Sequence, residues 1–153
     1  MTTFREAGPG DQEAIARLYR QLNQGDPVPL GDSFTTVFTQ ILESPGLHLY
    51  VLEHDGVVVA TTYLNVIPNL SRSARPYAII ENVVTDGSLR RTGLGRLTMA
   101  KTLEAAWAAG CYKALLQSGS DNRSAHAFYR ACGFRTDTKT GFEARPQTNS
   151  AQI

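Results

Sequence analysis

The sequence predicts an α/β domain in which a mixed sheet carries helices on both faces. Three observations lead there. The first third holds two stretches with apolar residues at helical spacing. The middle, residues 48–85, is a run of Val-, Thr- and Tyr-rich segments separated by turn residues. The last third alternates helix and strand patterns, and both of its helices stop at a glycine. Antiparallel strands followed by β-α-β units give a mixed sheet. At 153 residues and 16.7 kDa the chain suits one domain. That domain is expected over residues 1–146, with 147–153 as a flexible polar tail.

The elements follow in order. Phe4–Ala7 is the first strand candidate. Gly8-Pro9-Gly10 turns the chain, and Asp11 can cap the next helix. Ala14, Ile15, Leu18, Tyr19 and Leu22 recur at helical spacing, so residues 12–23 form an amphipathic helix. Residues 24–31, with two Gly and two Pro, read as a loop. Asp32 can cap a second helix that buries Phe34, Val37, Phe38, Ile41 and Leu42 and stops at Ser44-Pro45-Gly46. His48–Glu53 is a strand, Asp55-Gly56 a hairpin turn, and Val57–Ile67 a longer strand. Pro68–Pro76 is a polar loop whose Arg72 and Arg75 read either as a solvated surface or as partners for an anionic substrate. Tyr77–Thr85 is a strand, Leu94–Ala109 a helix, Tyr112–Gln117 a strand and Asn122–Cys132 a helix. Short strand candidates close the chain at Phe134–Thr136 and Gly141–Arg145.

Composition removes several function classes. Fifteen basic residues against 14 acidic ones leave a net charge of +1, which argues against a nucleic-acid-coating protein or one that binds an acidic membrane surface. No apolar run approaches the roughly 20 residues of a membrane-spanning helix, and the N-terminus lacks the basic-then-apolar pattern of a signal peptide. The two cysteines, Cys111 and Cys132, show no CxxC pairing and fit free thiols in the cytoplasm. His48, His54 and His126 have no metal-ligand spacing, so no metal site is expected.

The sharpest local feature is Arg90-Arg91-Thr92-Gly93-Leu94-Gly95-Arg96, set between a strand and a helix. Residues 89–103 contain Arg90, Arg91, Arg96 and Lys101 and no acid. Glycines allow close backbone approach. A helix N-terminus offers unpaired N–H groups and partial positive charge, so the segment suits a pyrophosphate. By itself the GxG reads equally well as a tight strand-to-helix turn. The Walker pattern is absent, Thr98 stands where a dinucleotide fingerprint has its third glycine, and the strand ending in Gln117 has no acid for a ribose.

One strand later comes Asn122-Arg123-Ser124-Ala125-His126-Ala127-Phe128-Tyr129-Arg130-Ala131-Cys132-Gly133-Phe134, of the form NxxAxxFYxxxGF. With RxxGxG before it, the chain resembles the GNAT superfamily of acyl-CoA N-acyltransferases, from the first strand to Arg145 and most strongly over residues 79–134. Ile80-Glu81-Asn82-Val83-Val84-Thr85 resembles the branch of glucosamine-phosphate N-acetyltransferases, where Asp often stands in place of Asn82.

The resemblance implies a mostly antiparallel sheet of six to seven strands, splayed between the fourth and fifth, with about four helices. It implies acetyl-CoA as cosubstrate and a primary amine as acceptor. Backbone groups near Val83 and Val84 would bond the pantetheine arm and polarise the thioester. Arg90, Arg91, Thr92, Gly93, Leu94, Gly95 and Arg96 would hold the pyrophosphate, and Asn122 and Phe128 would line the far wall. Tyr129 matches the tyrosine that protonates the departing thiolate. Glu81, in an otherwise apolar strand, is the candidate general base, either direct or through water, or else a partner in a structural ion pair. Asn82 cannot act as a base. The alternative to an enzyme is a non-catalytic acyl-CoA-binding sensor or regulatory module. The family often forms dimers through terminal strands or helices, and nothing in the sequence fixes that state here.

Overall fold

Strand alternation and turn chemistry lay out the centre of the fold. The computed structural model describes residues 1–22 and 31–147, and most of the expected 24–31 loop and of the C-terminal tail lies outside them. β1 (Thr2–Glu6) leads through a 3₁₀ turn into α1 (Gln12–Leu22) and α2 (Asp32–Glu43). There follow β2 (Leu47–His54), β3 (Val57–Ile67), the single turn α3 (Ser71–Ala74), β4 (Tyr77–Thr85), α4 (Leu94–Ala108), β5 (Ala114–Leu115) and α5 (Arg123–Ala131). The sheet has five strands in the order β1-β2-β3-β4-β5. All neighbours are antiparallel except β4 and β5, which are parallel.

Two cores sandwich the sheet. On one face Ile15 and Leu18 of α1 and Phe38 of α2 pack on Leu49, Val51 and Val84. On the other, Met99 and Ala106 of α4 pack on Leu64, Ala78 and Ile80. A buried polar contact crosses the second interface, where the Thr62 and Thr102 hydroxyls lie 2.7 Å apart. Asp11 does not cap α1. It closes the 3₁₀ turn by accepting from the Gly8 N–H at 2.7 Å and is clamped by both Nη atoms of Arg5, which holds its carboxyl below the ordinary range. At α2, Gly31 takes the cap position and Asp32 opens the first turn.

The expected six to seven strands are not present among the described residues. Phe134–Thr136 and Gly141–Arg145 carry no strand. From Arg135 to Gln147 every residue is exposed, with Phe142 92% exposed. Local pairs Arg135–Asp137 and Arg145–Glu143 satisfy charges within the segment itself. With no apolar face to bury, the segment lacks what would dock a strand. The expected fifth strand, Tyr112–Gln117, shrinks to Ala114–Leu115. No helix of the described residues is long and apolar enough to cross a membrane.

Candidate active site

The site is built where β4 loses its neighbour. β4 pairs with β5 only at Ala78–Ala114 and Ile79–Leu115, flanked by bonds from Ala78 N to Lys113 O at 2.9 Å and from Tyr112 N to Pro76 O at 3.0 Å. Beyond Ile79 this edge of β4 has no strand partner among the described residues, so the two strands part as the family resemblance implied. A bulge lies at the same place. Thr61 pairs with Val84 and Tyr63 with Glu81, so Thr62 faces both Asn82 and Val83. Asn82 takes a left-handed φ of 52°, which asparagine tolerates better than most residues. The bulge breaks alternation. Glu81 and Asn82 are both exposed, Val83 turns toward α4 and α5, and Val84 turns into the α1–α2 core. Glu81 therefore sits in water rather than in an apolar interior.

The strand exit is pinned on several sides. Asp86 accepts from the Ser88 backbone N–H at 3.0 Å and from its hydroxyl at 2.9 Å. Arg17 of α1 donates to Asp86 at 2.7 Å and to the Val58 carbonyl at 2.6 Å. The Ser88 N–H and then Arg17 hold the Asp86 carboxyl down at about 2. The Gly87 N–H donates to Gln21 at 2.8 Å. Sequence reading missed Arg17, Gln21 and Asp86 because each partner is far away in the chain.

From that anchor the loop enters α4. Arg91 and Gly93 are left-handed, with φ of 65° and 87°, and Thr92 Oγ1 donates to the Leu89 carbonyl. Gly93 occupies the N-cap of α4, which has no side-chain cap bond and no acid in its first turn. The opening N–H groups of a helix have no acceptor within the helix. Around them stand Arg90, Arg91 and Arg96, all exposed, and none is paired with a carboxylate among the described residues. Leu94 instead packs inward against Leu52, Val59 and Ala60. A Cβ on Gly95 would lie 2.9 Å from Thr85 Oγ1 and 3.3 Å from Phe128 Cε2. Only glycine lets the helix start close on both β4 and α5. Thr98, in the place of a third glycine, is buried and donates back to the Leu94 carbonyl at 2.8 Å.

α5 arrives with its own closure. The Asn122 carboxamide oxygen caps the helix, accepting from the Ala125 N–H at 3.1 Å. At the other end Gly133, φ 94°, closes a Schellman turn. Phe134 N donates to Tyr129 O and Gly133 N to Arg130 O, each at 3.0 Å. The Tyr129 ring meets Phe134 at 5.9 Å and Phe128 at 5.3 Å, both edge-on. The FYxxxGF pattern is thus in part the hydrophobic contact of a helix stop. Arg96 donates to the Ala131 carbonyl at 3.3 Å, tying the two helices. Val83, Phe128, Tyr129, Cys132 and Met99 share one cluster. Burial raises the Tyr129 phenol above its ordinary range, with smaller contributions from Cys132 and from Glu81, so at neutral pH it carries its proton.

The structure therefore gathers Val83, Gly95, Phe128 and Tyr129 at the parting of β4 and β5. It places Arg90, Arg91, Thr92, Gly93 and Arg96 around the start of α4. Val84 offers this site only its backbone, and Asn122 is engaged in its cap.

A sheet edge that loses its partner, an uncapped helix start among unpaired arginines and a protonated tyrosine on the next helix are the features that the comparison with known proteins has to account for. The chain matches the acetyltransferase (GNAT) family over residues 15–134 and belongs to that family, whose members take acetyl-CoA as cosubstrate. A solved structure from Agrobacterium tumefaciens superposes with a TM-score of 0.88 at 44% identity, covering 94% of this chain and 99% of that one. Glucosamine 6-phosphate N-acetyltransferase from Trypanosoma brucei brucei is 35% identical over 80 residues, 52% of each chain. The match therefore spans about half the length of that relative. A protein of Oryza sativa subsp. japonica, named a probable glucosamine 6-phosphate N-acetyltransferase 2, is 35% identical over 128 residues, 80% of this chain and 75% of its own.

Proposed function

We propose that this chain is an acetyl-CoA-dependent N-acetyltransferase that moves the acetyl group directly to a primary amine in a ternary complex. The observation that carries the reading is the convergence of Tyr129, Val83 and the open start of α4 at the gap between β4 and β5. The N–H groups from Arg91 to Arg96 and the three arginines fit a pyrophosphate in position and charge. The acetyl thioester supplies an activated carbonyl, so no covalent enzyme intermediate is needed.

The residues then divide the work. Amines are mostly protonated at neutral pH, with a pKa of roughly 10. Glu81, exposed to water beside the bulge, takes the ammonium proton directly or through a water. The freed nitrogen lone pair forms the C–N bond. Backbone donors beside Val83 and Val84, on the stretch of β4 that β5 leaves unpaired, stabilise the oxyanion. As the C–S bond breaks, Tyr129 gives its phenolic proton to the thiolate sulfur, and the second proton shed by the newly acylated nitrogen passes through water to restore the phenol. Asn82 contributes the kink rather than a proton, so an aspartate-assisted step has no counterpart here. The names of the Trypanosoma and rice relatives support a small amine as acceptor, and two free cysteines, Cys111 buried and Cys132 half-buried, support a reducing, cytoplasmic setting.

The test is a thiol-release assay with acetyl-CoA against a panel of amino sugars, polyamines and peptides. Amine-dependent release that needs Tyr129 is expected. Tight CoA binding without release on any amine would instead favour a sensor module.

A further inference from the structure

We infer that Tyr63 sets acceptor specificity: its ring, beside Glu81 on the α1–α2 face of the sheet, seats the acceptor as a charged aliphatic ammonium and selects against uncharged amines. This rests on the transferase reading above and extends it to the form in which the acceptor binds. Tyr63 of β3 and Glu81 of β4 are direct partners in the ladder, as are Leu64 with Ile80 and Asn65 with Ile79. The register is regular there and shifts only beyond Tyr63, toward Thr61. Directly opposed residues project on the same face, with Cβ atoms about 4.5–5.5 Å apart. That face is the one closed by α1 and α2, because Tyr63 packs on the cluster of Ile15, Leu49 and Val84. Leu64 and Ile80 lie on the other face, under α4.

The chemistry of the pair suits a cation. Glu81 is exposed and forms no ion pair among the described residues. Its ladder neighbours on this face bring no basic group: Ile79 is apolar, and Asn65 donates to the Ile79 carbonyl at 3.1 Å. Tyr63 is half-buried, and burial raises its phenol above the ordinary range, so the ring is neutral at pH 7. No buried side-chain oxygen among the described residues lacks a partner, and no hydrogen bond among them holds the Tyr63 hydroxyl, so the polar edge of the ring reaches open space. Tyr19 of α1 packs on the same cluster. Burial pushes its phenol up to about 12, against a smaller opposing pull from the Asn82 side chain. Neutral aromatic rings and an unpaired carboxylate offer an ammonium a negative ring face and a counter-charge. The apolar core behind them weakens solvent screening on that side. An uncharged amine gains neither attraction. Because the ring acts on the bound ammonium before Glu81 takes its proton, it lowers KM rather than raising kcat.

The experiment titrates n-butylammonium and n-butanol, which differ in head-group charge at nearly equal size, into the CoA-loaded chain carrying isotope-labelled tyrosine. Binding is followed by NMR on the Tyr63 ring signal and on the ligand. The ammonium should shift the Tyr63 signal and bind about tenfold tighter than the alcohol. Tyr63→Leu, which keeps an apolar side chain on the core, should cut that preference about fivefold. Tyr63→Phe and Tyr63→Trp should keep it, since both retain a ring. The ratio cancels any loss of folded protein, and the Kd for CoA should not move. In thiol release, Tyr63→Leu should raise the KM for n-butylamine about fivefold, with kcat within about twofold and the KM for acetyl-CoA unchanged. A Tyr63 signal that neither compound moves, equal affinity for both compounds, or a preference unmoved in Tyr63→Leu overturns the inference, while CoA binding and thiol release keep the transferase reading. Failure of the wild-type chain to bind CoA overturns that reading and the inference with it.

Discussion

The starts of α4 and α5 are opposite solutions to one problem. Each helix begins with N–H groups that lack helical acceptors. α5 answers from within: Asn122 caps it, and His126 Nε2 lies 2.8 Å from the Gly119 carbonyl just upstream. α4 leaves its start open. Gly93 has no side chain to offer, no acid enters the first turn, and three arginines add positive charge. A protein that needed only to stop fraying would treat both ends alike. On the proposed function the difference assigns the N-terminus of α4 to an anion and the value of α5 to its last turn, where Tyr129 sits. Breaking each start should therefore harm different things.

The largest effect is expected from Gly95→Asp. Its Cβ would fall 2.9 Å from Thr85 Oγ1, and its charge would oppose the anion. CoA affinity should drop about 100-fold or more, roughly 2.8 kcal/mol. Retained affinity by calorimetry would remove the ligand from the α4 start. Gly93→Asp adds no clash but strains a left-handed position at φ 87°, and should weaken CoA by less.

Next comes Tyr129→Phe, which keeps the ring contacts with Phe128 and Phe134 and so keeps the helix stop. Turnover should fall about 100-fold, within the range of a lost general acid, with the Kd for CoA unchanged. Turnover within a factor of about two would reassign Tyr129 to packing alone and leave water as the acid. Tyr129→Ala should also destabilise the fold, which separates the two roles.

The anchor that presents the open helix can be probed by pH. The Asp86 carboxyl sits near 2 in the folded chain against 3.8 ordinarily. Its folded pKa is depressed, so its stabilisation is complete above about pH 4 and is lost as pH falls toward 2. Asp86→Asn should lower stability by about 1–2 kcal/mol at neutral pH and flatten the wild-type loss between pH 4 and 2. An unaltered slope in denaturation across that window would show that Asp86 is not a principal acid-sensitive support.

How much of this could be read beforehand follows from distance along the chain. The strands Val57–Ile67 and Tyr77–Thr85 were legible because alternation and turn residues are local signals. So were α4, α5 and the RxxGxG and FYxxxGF segments. The clamp of Arg17 on Asp86 joins residues 69 apart, and no local pattern announces it. No local pattern announces the bulge at Asn82, since Asn tolerates left-handed φ without requiring it. The terminal strands failed for the reverse reason. Gly141–Arg145 has a strand-like turn of phrase in sequence but finds no face to cover, and propensity without burial does not hold a strand. The rings of Tyr112 and Tyr77 gather Arg72, Arg75 and Lys113 from a loop and a strand edge, a juxtaposition no local pattern shows, so in sequence Arg72 and Arg75 read either as a solvated surface or as partners for an anionic substrate.

The smallest effect is the one that tests the comparison most directly. Asn122→Ala removes the α5 cap and should cost about 1 kcal/mol of stability, seen as a lower midpoint in denaturant. The Kd for CoA should move less than about threefold, which is under 1 kcal/mol, because the carboxamide oxygen already serves the Ala125 N–H. Asn122→Asp and Asn122→Ser should restore the lost stability, since both side chains cap as well as asparagine. A large loss of CoA affinity in Asn122→Ala that Asn122→Ser does not rescue would mean the carboxamide contacts the ligand. The two helix starts would then both serve the cosubstrate, and the open end of α4 would no longer be the feature that sets the site apart.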